Sequence, residues 1–146
     1  MTRRVVVGVD GSEPSRLALR WAVGEARSRG ATLDVVLVWR HPYSAFVPAF
    51  DLPPIEDLEG AARATVLDIM SAEKLSETGD PIANAIAIEG PPASALVEAA
   101  IGADLLVVGA RGLGAFRGML LGSVSQHCVT HAPCSVLVVR GEDGTE

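Results

Sequence analysis

Short runs of valine, leucine and isoleucine recur along the chain, and a longer stretch with helical spacing separates each run from the next. The first run is 5–10 (Val-Val-Val-Gly-Val-Asp); others cover 33–39, the residues up to Gly109, and 135–139. A fifth, 82–89, alternates Ile82, Asn84, Ile86 and Ile88 with alanines, as a strand near a sheet edge would. A strand that is apolar on both sides needs cover on both sides, which a sheet facing water does not provide. Five strands with four intervening helices and right-handed crossovers predict a single-domain α/β fold, an open parallel sheet with helices on both faces. In such sheets a ligand lies beyond the carboxyl ends of the strands, where the strand order switches. Asp10 ends the first strand and Gly109 the fourth, so both border that edge if the two strands are neighbours.

The first helix, predicted over 15–29, carries its own punctuation. Ser12 suits the N-cap, Pro14 the first turn and Gly30 the C-cap. Leu17, Trp21 and residues 23–26 mark its apolar face, with Trp21 read as a core or interface aromatic. A second helix is expected over 55–75, closed by Gly79-Asp80-Pro81. A third opens at Gly90-Pro91-Pro92 and runs to about 101, and a fourth follows Gly122 to about 131. Residues 41–54 hold four prolines together with Tyr43, Phe46 and Phe50. That is too much proline for a regular helix and too aromatic for a solvated linker, so a loop or lid packed on a ligand edge or a partner chain is expected. Residues 141–146 read as a polar, fraying tail.

At 146 residues the chain fits one domain, and about 70% of the unfolded surface can be buried at that length. The formal charge of −6 argues against a nucleic-acid partner, which calls for a basic face. No run approaches the roughly 20 apolar residues of a membrane span, and no signal peptide is visible. Cys128 and Cys134 do not make a disulfide framework, so a cytoplasmic setting is expected.

The most telling functional signal is the junction after the fourth strand. Residues 105–112 read Leu-Leu-Val-Val-Gly-Ala-Arg-Gly; nine residues later comes Gly122-Ser123. Glycine at a strand-to-helix junction lets backbone approach phosphate closely and adopt positive φ, and the following helix points its first N–H groups and positive end at the anion. Arg111 and Arg117 are either the missing cations or solvated loop arginines.

With these residues in view, the chain resembles the ATP-binding branch of the universal stress protein family over nearly its full length. The resemblance rests on Val-Val-Val-Gly-Val-Asp-Gly-Ser at 5–12, the intact G-x2-G-x9-G-S loop, and Ala-Pro-Cys-Ser-Val-Leu-Val-Val at 132–139. It implies a Rossmann-like, adenine-nucleotide-hydrolase-like sheet in the order 3-2-1-4-5, and a homodimer through the last strand, 135–140. It also implies an ATP site built from Asp10, Gly11, Ser12, Val38, Gly109, Arg111, Gly112, Gly122, Ser123, Val124 and Ser125. Asp10 would lie beside the ribose or a Mg²⁺ or Mn²⁺ ion, the backbone near Val38 beside adenine, and Gly122 and Ser123 on phosphate. Many members bind ATP and hydrolyse it slowly or not detectably. The implied role is a nucleotide-dependent stress regulator read by a protein partner. The alternatives are a slow ATPase of the same fold and a dimerisation module without nucleotide.

Other patterns carry less. Gly112-x-Gly114-x-x-x-Gly118 imitates a dinucleotide fingerprint but follows the fourth strand, not the first. Asp10 also suits a turn before Gly11, and Ser12 is more a cap than a ligand contact. His127 and His131 are one helical turn apart, but Cys128 lies on another face, where it reads as a small core residue and not a zinc ligand. Trp39, like Trp21, reads as a core or interface aromatic; it ends the second strand, so contact with an adenine ring is the alternative. No serine-hydrolase elbow or catalytic carboxylate set is visible.

Overall fold

The computed structural model describes residues 2–40, 54–112 and 121–141. Expectations for 41–53, for Gly114, Arg117 and Gly118, and for the tail beyond Gly141 lie outside these residues. The elements run β1 (Arg4–Val9), α1 (Glu13–Arg29), β2 (Thr32–Trp39), α2 (Ile55–Ala72), β3 (Ala83–Glu89), α3 (Pro92–Ala99), β4 (Leu105–Gly109), α4 (Ser123–His131) and β5 (Ser135–Val139). The strands form one parallel sheet in the order β3-β2-β1-β4-β5.

The alternation of side chains along each strand divides the core between two faces. Val5, Val7, Leu33, Val35 and Val107 pack on one face with α1 and α2. Val6, Val36, Leu106 and Val108 pack on the other with Leu96 of α3 and Cys128 of α4. Each such side chain contributes about 1.5–3 kcal/mol by leaving water, and this two-sided cover is why the strand sequences are almost continuously apolar.

Helix α1 begins and ends at its sequence signals. The Ser12 hydroxyl accepts from the Ser15 amide, and Gly30 takes the left-handed conformation at φ 61°. Its buried face, however, is Ser15, Ala18, Leu19, Ala22, Val23 and Ala26, and Trp21 is 54% exposed. The core reading of Trp21 is therefore wrong: the i, i+3, i+4, i+7 stripe runs through small alanines that bring the helix close to the sheet. Helix α2 stops three residues earlier than expected. Lys74 takes φ 58°, the Leu75 amide donates back to the Met70 carbonyl at 2.9 Å, and the Leu75 side chain folds into the core.

At the amino-terminal end of the strands, Asp34 is buried inside an otherwise apolar strand. The Arg4 guanidinium donates to Asp34 Oδ2 at 2.9 Å and to the Ala99 and Ile101 carbonyls at 3.0 and 2.6 Å. Asn84 donates to Asp34 Oδ1 at 3.0 Å. This network ties β1, β2, β3 and the end of α3 together.

Cys128 is fully buried, as the sequence suggests. Burial, with a smaller contribution from the neighbouring Cys134 thiol, pushes its pKa from an ordinary 9.0 up to about 11. Between these values the unfolded chain releases a proton that the native chain retains, so stability falls as pH rises. We expect a loss on the order of 2 kcal/mol by pH 11. Urea unfolding of the native protein and of Cys128→Ala across this range checks it: the variant should lose the extra slope, and equal slopes would refute the assignment.

Candidate functional site

A cavity of about 460 Å³ opens at the carboxyl ends of β1, β2 and β4, on the α3 and α4 side of the sheet. It lies at the switch point, where the chain has turned one way from β1 to β2 and the other way to β4. Its size is that of a small-molecule pocket. The walls divide by chemistry. Gly8, Val36, Val38, Pro92, Leu96 and Val108 make an apolar half; Asp10, Arg111, Gly112, Gly122 and the first turn of α4, Ser123–Ser125, make a polar half.

Asp10 is held by the turn that follows it. Its Oδ1 accepts from the Ser12 amide at 2.9 Å and from the Ser12 hydroxyl, and its own amide donates to Ser15 Oγ at 3.2 Å. Gly11 makes the turn at φ 83°. Gly11 and Ser12 do not line the cavity; they position Asp10 and start α1. The turn reading of Asp10 holds, and the same turn leaves the residue in the cavity wall.

The loop glycines work through space and not through positive φ, which none of Gly109, Gly112 and Gly122 adopts. A Cβ on Gly109 would stand 3.0 Å from the Pro14 carbonyl oxygen, so this glycine lets the first turn of α1 close on β4. A Cβ on Gly112 would stand 2.5 Å from Asp10 Oδ2, so the two ends of the polar half meet only because that atom is missing. The Gly122 amide, expected to face phosphate, donates instead to the Ala110 carbonyl at 2.6 Å. The Ser125 hydroxyl lies 2.7 Å from the same carbonyl oxygen and 3.0 Å from that of Gly122. Both tie the start of α4 to the residue that follows β4.

What remains for a ligand is the start of α4. Gly122 is its N-cap and supplies no side-chain cap, whereas Ser12 caps α1. An uncapped first turn with the exposed hydroxyl of Ser123 in a cavity wall presents partial positive charge to an anion. Val38 lies in the apolar half, as placed from the sequence. Trp39 is next to it in a strand, so it faces the opposite side of the sheet from the cavity. Its indole Nε1 is buried without a hydrogen-bond partner among the described residues.

Val36 and Gly8 escaped the sequence reading, although a two-residue step back from Val38 and from Asp10 would have found them on the same face. Pro92 and Leu96 had no such signal, because nothing local places α3 over β1. Asp10 is the one carboxylate in the cavity wall among the described residues, and no group of three or more potential metal ligands occurs among them. A divalent ion held here would take its remaining ligands from a bound phosphate chain.

Sheet order and cleft together define a doubly wound α/β protein with a small-molecule-sized cavity at the carboxyl edge of the sheet. The chain belongs to the universal stress protein family, whose profile matches residues 1–140. It is 39% identical over 142 residues to a universal stress protein encoded 3′ of a QAH/OAS sulfhydrylase in Thermus aquaticus, covering 96% of this chain and 100% of that one. Matches also include a Mycolicibacterium smegmatis universal stress protein, of which the chain spans 45% of the length. Among solved structures, universal stress protein UspA from Lactobacillus plantarum superposes with a TM-score of 0.78 at 29% identity, over 94% of this chain and 97% of that one. A universal stress protein in complex with cAMP gives 0.60 at 32% identity, over 94% and 95%.

Proposed function

We propose that this chain is an ATP-binding universal stress protein that holds the nucleotide with Mg²⁺ or Mn²⁺ and signals its occupancy to a protein partner. The observation that carries the reading is the division of one cavity into an apolar half and a half made of glycine backbone, Asp10 and an uncapped helix end. A nucleotide has the same division: a flat base at one end and anionic phosphate at the other. The complex of a 32% identical relative with cAMP, an adenine nucleotide, supports it. In this reading Val38 and its neighbours cover the base, Asp10 approaches the ribose or the ion, and Ser123 and Val124 hold phosphate. With Asp10 as the lone carboxylate of the described wall, the site suits holding ATP more than rapid turnover.

The reading extends to a single cytoplasmic domain over 1–146 that dimerises through β5. That strand is an edge with half-buried Val136, Leu137 and Val138. The opposite edge is guarded: Arg63 donates to the Ala85 carbonyl of β3 at 3.1 Å.

Mass spectrometry of small molecules extracted from the purified protein, followed by calorimetric titration with ATP, ADP and AMP, tests the proposal. We expect co-purified or tightly bound ATP. An empty protein that gives no heat with any of the three would refute it and favour a dimerisation module. Phosphate release that disappears in Asp10→Ala would instead favour the slow ATPase.

A further inference from the structure

The apolar end of the cleft is bounded by a contact between residues far apart in the chain. A Cβ built on Gly8 of β1 would stand 2.9 Å from Leu96 Cδ1 and 3.1 Å from Cδ2, closer than side chains tolerate without moving. Leu96 is 5% exposed, and both residues line the cavity. Around them the layer is filled by Val6, Val36, Leu106 and Val108. A packed layer does not absorb an extra methyl group, so a displaced Leu96 tip has the cavity as its open space. The missing side chain at Gly8 therefore decides where Leu96 rests, and Leu96 in turn decides where the apolar half ends.

We infer that the Gly8–Leu96 contact is a size filter for the base, a role that rests on the nucleotide-binding reading. A leucine wall offers no donor or acceptor, so it selects by shape. An apolar wall of this kind discriminates by roughly 10–200-fold per methylene of misfit. The filter accepts an unsubstituted purine and excludes one carrying an added ring.

Calorimetry on the full chain tests this with ATP and with three ATP analogues bearing a benzyl-sized group at N6, C2 or C8. Gly8→Ala should weaken ATP by about tenfold, because Leu96 is driven into the space of the base. Gly8→Ala combined with Leu96→Ala should recover most of that loss. Leu96→Ala alone should admit at least one analogue that the native protein rejects. Melting curves accompany each variant, and Leu96→Val replaces Leu96→Ala if the latter does not fold. Native binding of ATP together with a Gly8→Ala variant of unchanged affinity, or a double variant that recovers nothing, overturns the filter alone. Failure of the native protein to bind ATP overturns the nucleotide reading and the filter with it.

Discussion

Gly112→Val is expected to weaken ATP binding by at least about a hundredfold while the melting midpoint stays within a few degrees of the native value. The substitution needs no unusual backbone, since Gly112 does not sit at positive φ, and the position is exposed. Among the described residues its effect falls on Asp10: the first added carbon would stand 2.5 Å from Asp10 Oδ2. The carboxylate has to move, and it is held by Ser12, so the turn and the polar half of the cleft are disturbed together. Gly112→Ala should show the same direction with a smaller loss. Gly109→Val is a poorer probe, because its added atoms meet the Pro14 backbone and would lower stability as well. Calorimetric affinity beside a thermal melt checks the prediction. Native-like ATP affinity in Gly112→Val would place the nucleotide elsewhere.

Arg4→Met is expected to do the reverse, lowering stability by about 3 kcal/mol and leaving the ATP affinity of the folded fraction unchanged. Arg4 acts at the amino-terminal edge of the sheet, away from the cleft. Its removal leaves Asp34 buried with Asn84 as its one partner among the described residues and strips a donor from the Ala99 and Ile101 carbonyls. A charge stranded in this way costs more than the intact pair contributes. Adding Asp34→Asn to Arg4→Met should therefore return part of the loss, because it removes the stranded charge. Arg4→Lys should rescue poorly, since a single ammonium cannot reach the aspartate and both carbonyls in the fork geometry of a guanidinium. Urea titration of the four proteins decides it. A loss below about 1 kcal/mol in Arg4→Met would reduce the network to an ordinary surface ion pair.

Much of this architecture could be read in the chain, and the reasons are local. Ser12, Pro14 and Gly30 punctuate α1 by rules that need no tertiary contact. The nearly continuous apolar runs at β1, β2 and β4 report two-sided burial directly. The polar half of the cleft was equally legible, since Asp10 and the glycine loop each sit at the end of a strand. What could not be read depends on partners distant in sequence. Asp34 interrupts an apolar strand for the sake of Arg4 and Asn84, 30 and 50 residues away. Gly8 looks like an ordinary strand glycine until Leu96 lies over it. Trp21 is the largest apolar residue of α1, yet the small alanines set its packed face. The spacing of the loop glycines is plain in the chain, but the reason for Gly109 and Gly112, room for Pro14 and Asp10, belongs to the assembled sheet.

The register also bears on how the protein is made. β1 is synthesised first and lies in the middle of the sheet, bonded to β2 on one side and to β4 on the other. During translation its second edge stays open until Leu105–Gly109 has left the ribosome, long after β2 and β3 are complete. From the completion of β2 until then, the nascent chain carries an apolar central strand with one edge unpaired, the kind of edge that invites pairing with another chain.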